Sequence, residues 1–281
     1  MSIYYKIRHN KTIIFCICVI VSVCLAGIFA PILAPNDPIV TNPSCKYGTP
    51  CRQYPLGNDQ LGRCILSRLL YGIRPSVLYV LAALFLSVLL GTGMGLIAGY
   101  FGGRIDDLIM RLCEVMLALP TEVMTLAIIG VLGVGIDKIL LTYILLKWAW
   151  YCRMIRTVVR QYKDLSYVNF ARASGYSDFS IIRRHILPSV IAEIIVISSS
   201  SVSSMILLIS SLSFLGLGIQ PPTPEWGMML NEARDVMYIF PMQMVYPGAA
   251  VMIISVLFAF LGDSLRDVLD PQNTLEKQVE K

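Results

Sequence analysis

Residues 76–101 read Ser-Val-Leu-Tyr-Val-Leu-Ala-Ala-Leu-Phe-Leu-Ser-Val-Leu-Leu-Gly-Thr-Gly-Met-Gly-Leu-Ile-Ala-Gly-Tyr-Phe, a stretch of 26 residues without a charge. A second uncharged stretch, of 23 residues, occupies 12–34. A helix of about 20 apolar residues crosses the ~30 Å hydrocarbon core of a bilayer. Both stretches therefore predict membrane-spanning helices.

The composition of the whole chain agrees with this prediction. Of 281 residues, 56% are hydrophobic and 15% are charged, and the mean hydropathy is +0.69. Soluble domains average about 25% charged residues. A disordered chain, a coiled coil and an ordinary soluble enzyme are excluded, and the net charge of +5 gives no reason to expect a nucleic-acid partner.

We predict an all-α integral membrane protein with six transmembrane helices. The predicted spans are 12–34, 76–101, 107–133, 137–157, 189–218 and 244–262. Residues 1–75 then hold an N-terminal anchor helix and an external loop, 76–263 hold the five-helix core, and 264–281 form a tail. The first apolar stretch is about twice as long as the apolar part of a signal peptide, so we expect it to stay as an anchor.

The distribution of Lys and Arg predicts the orientation. With the N-terminus in the cytoplasm, fourteen of them fall inside and seven outside. Seven of the fourteen lie in residues 151–188. Because cytoplasmic loops are enriched in Lys and Arg, both termini are predicted to be cytoplasmic.

The cysteines and histidines bear on disulfides and metals. Cys45 and Cys51 flank a short turn in the predicted first external loop, where either a disulfide or two free thiols is possible. The two histidines, His9 and His185, lie outside the predicted spans. We therefore expect no metal site in this chain.

The predicted cytoplasmic loop, residues 164–188, contains the small residues and aromatics of a docking element. It fits two short helices, broken at Gly175 and ended before Pro188. The aromatic residues Phe170, Tyr176 and Phe179 lie on both sides of the break. They fit either a knob that inserts into a cytoplasmic partner or an amphipathic helix lying on membrane lipid.

A polar run, Ser198-Ser-Ser-Ser-Val-Ser-Ser204, lies in the middle of predicted span five. Six hydroxyls in seven residues cover every face of a helix, so some must face a partner helix or a wet pathway. The pathway candidates are Ser199, Ser200, Ser203 and Ser204.

The predicted spans also contain ionisable residues, among them Lys147. We expect these residues to lie toward the ends of their spans.

Four segments in order along the chain resemble the permeases of binding-protein-dependent ABC importers, in particular the dipeptide, oligopeptide and nickel group. They are 55–74, the 164–188 loop, 213–230 and 262–271. In the loop, Asn169 and Phe170 replace the Glu and first Ala of the family pattern Glu-Ala-Ala-x-x-x-Gly, while Gly175 keeps its place. The resemblance is to the second of two paired permeases.

This resemblance implies a type I ABC importer permease fold and a set of partners. These are a second homologous permease, two ATP-binding subunits, an extracytoplasmic substrate-binding protein and the lipid of a prokaryotic plasma (inner) membrane. It implies that the loop docks on the ATP-binding subunits through Asn169, Phe170, Ala171, Arg172, Ala173, Gly175, Tyr176, Leu187 and Pro188.

The chain itself is not expected to be an enzyme. It contains no phosphate-binding Gly-rich loop ending in Lys-Ser/Thr, so ATP and Mg²⁺ are expected on the partner subunits. No catalytic residues and no cofactor are predicted in this chain.

Two further segments, 148–156 and 237–248, resemble nickel permeases more than peptide permeases. The sequence thus favours nickel import, with the metal crossing as a chelate, over di- or oligopeptide import. The competing class is an ion-driven secondary transporter, which is expected to have internal repeats and ionisable residues at the bilayer midplane.

Overall fold

The structure, a computed structural model, describes residues 10–269, and this part of the chain is helical without β-strands. The helices are α1 Lys11–Ile28, α2 Ala30–Leu33, α3 Ile65–Ile73, α4 Tyr79–Phe101, α5 Gly103–Leu117, α6 Thr121–Leu132, α7 Ile136–Lys163, α8 Ser166–Ala173, α9 Asp178–Ile181, α10 Leu187–Phe214, α11 Trp226–Ala233 and α12 Met242–Leu269. Two π turns, Arg74–Leu78 and Ile182–Ile186, join α3 to α4 and α9 to α10.

Four continuous helical stretches are long and apolar enough to cross a membrane. They are Lys11–Ile28, Ile65–Phe101, Asp178–Phe214 and Met242–Leu269. The bent pair α5 and α6 makes a fifth when it is counted as one span. Helix α7 has the length, at 28 residues, but Lys147, Arg153 and Arg156 in its middle and lower turns keep its composition from marking it as a span.

The predicted third span, 107–133, is not one straight helix. Helices α5 and α6 meet at an angle of 74°, and the break lies between Leu117 and Thr121. Pro120 is the residue just before α6. Because proline lacks the N–H that continues a helix and restricts the residue before it, the chain turns here.

The predicted helix end before Pro188 is wrong. Helix α9 continues through the π turn Ile182–Ile186 into α10, and Pro188 lies in the first turn of α10. Proline cannot donate to the carbonyl one turn earlier, and the wider π turn just before it accommodates that missing bond.

Helices α4 and α7 form the tightest pair in the core. A Cβ atom at Gly91 would lie 2.5 Å from Tyr151 Cβ, and one at Gly99 would lie 2.7 Å from Val159 Cβ. Gly95 lies equally close to the backbone of Cys152. This glycine stripe lets two backbones approach, as small residues do between membrane helices.

The remaining long helices pack beside this pair. Helix α10 contacts α12, where a Cβ atom at Gly262 would lie 2.5 Å from Ser200 Oγ.

Different segments cover the two ends of the long helices. At one end lie residues 34–64 and 215–241, which we call the cap. At the other end lie residues 164–188, which we call the coupling loop.

Candidate functional site: translocation cleft, coupling loop and cap

A polar cleft of about 400 Å³ opens between α7 and α10. It follows α7 from Tyr143 to Met154, a length of about 16 Å at 1.5 Å per residue. Its polar lining side chains are Glu122, Tyr143, Lys147, Tyr151, Ser200, Ser201, Ser204 and Arg266. A second cavity of about 250 Å³ shares Met154, Ile197 and Arg266 with it and extends to Glu193. Together they run from mid-helix toward the coupling-loop end.

The serine run divides between two sides of α10. Ser200 and Ser204 line the polar cleft, one turn apart. Ser203 lines a separate, mostly apolar pocket of about 430 Å³ against α12. Ser199 donates its hydroxyl to Ile195 O at 2.7 Å and lines neither. Of the four predicted pathway serines, the fold brings Ser200 and Ser204 to the cleft, together with Ser201, which the prediction omitted.

Hydrogen bonds from the serine hydroxyls to the backbone of their own helix explain how α10 accommodates so many serines. Four consecutive hydroxyls, those of Ser198 to Ser201, donate to the backbone carbonyls one turn earlier, at 2.5–3.3 Å. Each hydroxyl is thereby satisfied inside its own helix while its oxygen keeps acceptor capacity. The polar face therefore needs no partner helix to exist.

Lys147 lies near the middle of α7, not toward a span end as expected. It is about 17 Å along the axis from Ile136 and about 24 Å from Lys163. Its Nζ lies 6.0 Å from the Tyr143 ring centroid. A lysine at the centre of a membrane helix costs about 2.5–3.5 kcal/mol to insert, so such residues usually face a cavity and serve function.

The coupling loop presents aromatic side chains to solvent. Phe170 and Phe179 are 75% and 73% exposed, and Tyr176 is 48% exposed. Val168 and Ala171 point the other way and are buried. The loop thus displays aromatic side chains among exposed polar ones such as Arg172 and Asp178, which suits a docking surface.

The remaining predicted loop residues have local roles. The Asn169 side chain donates to Asp164 O at 3.0 Å and accepts from Arg172 at 3.1 Å. Gly175 has φ +80° and nothing within 4 Å of its would-be Cβ, so it serves the backbone turn and not a close contact. Arg172, Ala173 and Pro188 are exposed, and Leu187 is half-buried.

A side-chain hydrogen bond helps the buried apolar residues attach the loop to the core, and sequence reasoning missed it. The Tyr100 hydroxyl, at the end of α4, donates to Asp178 Oδ1 at 2.5 Å. The Arg172 guanidinium lies 5.9 Å from the Tyr100 ring centroid. No local pattern links Tyr100 to a partner 78 positions away.

A second ionic contact joins α5 to α7 near the same end. Asp106 is buried and accepts from Arg156 Nη2 at 2.6 Å, and Arg160 also pairs with it. The two arginines contribute to the positive-inside count, and the fold shows that they also clamp the start of α5.

The cap contains a buried cluster of four charges, hereafter the quartet: Asp59, Arg63, Arg68 and Glu232. Arg63 lies 2.6 Å from Asp59 and 3.0 Å from Glu232, and Arg68 lies 2.8 Å from Glu232. Arg68 also pairs with Asp59. Each arginine side chain is 1% exposed, and the cluster is neutral overall. It fixes the loop before α3 to α11 across about 170 positions in the sequence.

A buried carboxylate connects the cap to the helices below it. Glu225 caps α11 by accepting from the N–H groups of Gly227 and Met228, at 2.9 and 2.8 Å. The Ser76 hydroxyl donates to Glu225 at 3.0 Å. Burial raises the pKa of Glu225, because the ionised carboxylate loses hydration that its hydrogen bonds only partly replace.

The two cap cysteines are separate thiols in the structure. Cys45 Sγ accepts a hydrogen bond from Asn42 at 3.3 Å, and Cys51 is exposed. A disulfide between them stays a prediction. Within residues 10–269, no group of three or more His, Cys, Asp or Glu side chains is placed to hold a metal ion, and His9 lies outside that range.

The chain matches the family model described as "Binding-protein-dependent transport system inner membrane component" over residues 91–274. It belongs to this family. It is therefore an integral membrane permease of a binding-protein-dependent ABC importer, as the four segments predict. Membership of this family excludes the competing prediction of an ion-driven secondary transporter.

Several relatives match along most of their length. The metal-staphylopine import system permease protein CntC of Staphylococcus aureus (strain NCTC 8325 / PS 47) is 48% identical over 97% of this chain and 94% of the relative. The nickel transport system permease protein NikC of Escherichia coli (strain K12) is 37% identical over 86% and 87%. The dipeptide transport system permease protein DppC of Alkalihalophilus pseudofirmus is 36% identical over 96% and 88%.

A solved structure supports the fold. A chain of the MetNI methionine ABC transporter, in an inward-facing conformation, superimposes with a TM-score of 0.55 at 14% identity. The match covers 72% of this chain and 96% of that one. At this identity the likeness concerns the fold alone, and it agrees with a type I importer permease.

Proposed function

We propose that this permease forms half of the pathway through which a bacterial importer carries nickel, or a related transition metal, as a chelate. The observation that carries the proposal is the 48% identity to the metal-staphylopine permease over nearly the whole chain. The 37% identity to the nickel permease points to the same group of cargoes.

The chemistry of the cleft fits a chelate better than a bare ion. Nickel prefers imidazole and other nitrogen ligands. The cleft instead offers ammonium, guanidinium, hydroxyl and one carboxylate, from Lys147, Arg266, the serines and Glu122. These groups suit the polar periphery of a chelator, whose own atoms hold the metal.

The proposed assembly has five further expectations. A second homologous permease completes the pathway, and two subunits that bind ATP and Mg²⁺ dock on the coupling loop. A binding protein delivers cargo to the cap outside the plasma membrane. We expect six spans, with α7 and the bent α5–α6 pair crossing the lipid, and both termini in the cytoplasm.

The proposed mechanism is alternating access. ATP binding closes the ATP-binding subunits and moves the coupling loop. The motion passes into α4 through the Tyr100–Asp178 hydrogen bond and into α10 through the continuous helix after α9. The cleft and the cavity beyond it extend along α7 and α10 toward the loop end, where this motion would act.

A second candidate cargo is a short peptide, favoured by the 36% identity to the dipeptide permease DppC. Uptake by the purified complex in vesicles, with its binding protein and ATP, separates the two. The probes are radioactive nickel with staphylopine, nickel alone, and a labelled dipeptide.

We expect ATP-dependent uptake of nickel only when staphylopine is present. Uptake of nickel alone at the same rate would overturn the chelate proposal, and uptake of the dipeptide in place of nickel would replace it with peptide import. Vesicles without ATP give the background.

A further inference from the structure

The Lys147 side chain is half-buried near the middle of α7 and makes no ion pair among the described residues. Among residues 10–269, no carboxylate lies within the 4.0 Å ion-pair distance of its Nζ. Most other inward-facing charges of the described chain are paired, including Arg63, Arg68 and Asp106. Lys147, like Arg266 and Glu122 of the same lining, makes no ion pair among the described residues and faces the cleft instead.

The groups around Lys147 are polar and directed at the same space. Ser200 and Ser204 of α10 line the cleft opposite α7, and Tyr151 lies one turn after Lys147. The Tyr151 hydroxyl is buried and lacks a hydrogen-bond partner within the described part of the chain. The Lys147 ammonium and the Ser200 and Ser204 side chains thus face a cleft large enough for a small molecule.

This arrangement matches a carboxylate. An ammonium donates up to three hydrogen bonds, and a charge-assisted bond to a carboxylate is about twice as strong as a neutral one. The cleft lining contains two cationic side chains, Lys147 and Arg266, and one carboxylate, that of Glu122. The lining therefore carries a net positive charge.

We infer that Lys147 binds a carboxylate of the cargo during its passage. The inference rests on the proposed function only in requiring that a cargo passes through the cleft. Chelators that hold metals through oxygen donors carry carboxylates, and every peptide ends in one. A metal chelate and a peptide would therefore both offer Lys147 a carboxylate. Uptake of nickel–staphylopine and of a labelled dipeptide shows which of the two supplies it.

The test uses the complete transporter in vesicles, with nickel–staphylopine in one arm and a labelled dipeptide in the other. Lys147→Met should lower the maximal uptake of the transported cargo at least tenfold, while Lys147→Arg should retain most of it. Lys138→Met is the matched control, because Lys138 lies on the same helix but pairs with Asp137 near the cap end.

The sign of the charge is tested on assembled Lys147→Cys complexes. A methanethiosulfonate reagent that adds an aminoethyl group should restore uptake severalfold, and one that adds a sulfonate should not. The unsubstituted permease, treated in parallel, controls for the eight native cysteines.

Equal effects of the two reagents, or Lys147→Met uptake equal to that of Lys138→Met, would overturn the inference. If the unsubstituted complex carries the dipeptide and no nickel, the chelate proposal fails. Dipeptide uptake by the Lys147→Met and Lys138→Met variants then still tests the role of Lys147.

Discussion

The cap and the coupling loop use charged and aromatic residues in opposite ways. In the cap, four charges are buried against each other and Trp226 is buried under α3. In the loop, Phe170 and Phe179 are exposed and one hydrogen bond, from Tyr100, reaches the core. The quartet and Trp226 give the cap an ordered interior, whereas the loop places its phenylalanines on a surface that we propose a partner covers.

This difference has a physical reason. A buried ion cluster holds one geometry, because any displacement leaves a charge unpaired in a low dielectric. Exposed apolar side chains have no fixed geometry of their own and gain stability by being covered. A rigid end and an adaptable end suit the proposed roles of the cap in receiving cargo and of the coupling loop in docking the ATP-binding subunits.

The largest effect is expected from breaking the quartet. Arg68→Met leaves Asp59 and Glu232 short of a partner in a buried site, and should cost about 3–5 kcal/mol of unfolding free energy. Thermal unfolding of the purified complex in detergent measures it. Arg52→Met, at an exposed cap position, is the control. Equal stability of the two variants would show that the quartet does not hold the cap.

The next effect tests the loop as a docking surface. Replacing both Phe170 and Phe179 by Ala should weaken binding of the ATP-binding subunits by about 2 kcal/mol or more, because exposed aromatic anchors dominate such interfaces. Copurification against ATP-binding subunit concentration measures it. The matched control replaces Tyr238 and Ile239 of the cap, which are 89% and 74% exposed. Equal losses in both double variants would contradict a specific docking role.

A smaller effect concerns the attachment of the loop. Tyr100→Phe removes the hydrogen bond to Asp178, worth about 1.5–3 kcal/mol for a charged acceptor. Hydrogen exchange of amides in 166–181 should speed up about tenfold. Tyr162→Phe serves as control, since the Tyr162 hydroxyl makes no hydrogen bond among the described residues. Unchanged exchange in Tyr100→Phe would mean that the buried apolar side chains of the loop, such as Val168 and Ile181, hold it without the hydrogen bond.

The smallest effect is a pH dependence of the cap. The folded state raises the pKa of Glu225, so its contribution to stability is complete below the ordinary carboxyl pKa of about 4.3 and is lost as pH rises. The melting temperature should therefore fall with pH more steeply in the unsubstituted permease than in Glu225→Gln, which does not ionise. Parallel curves would show that the carboxylate stays well solvated.

Local patterns predicted the parts of the molecule that depend on neighbours in sequence. Uncharged runs such as 76–101 identify membrane helices, and the small and aromatic residues around Gly175 identify an exposed loop. The glycines at 91, 95 and 99 lie one turn apart and face α7, which is a finding of the structure. The expectation of a helix end before Pro188 was wrong, because a π turn relieves the strain that a local rule assumes.

What the sequence by itself determined is the class of the protein: its composition makes it a membrane protein, and its ordered motifs make it an importer permease. Tertiary structure decided which charges meet. The quartet joins residues about 170 positions apart, and Lys147 faces Ser200 and Ser204 across the cleft only because the glycine stripe sets how α7 lies in the bundle. Helical periodicity places a side chain on a face of its own helix, but the packing of distant helices determines what that face meets.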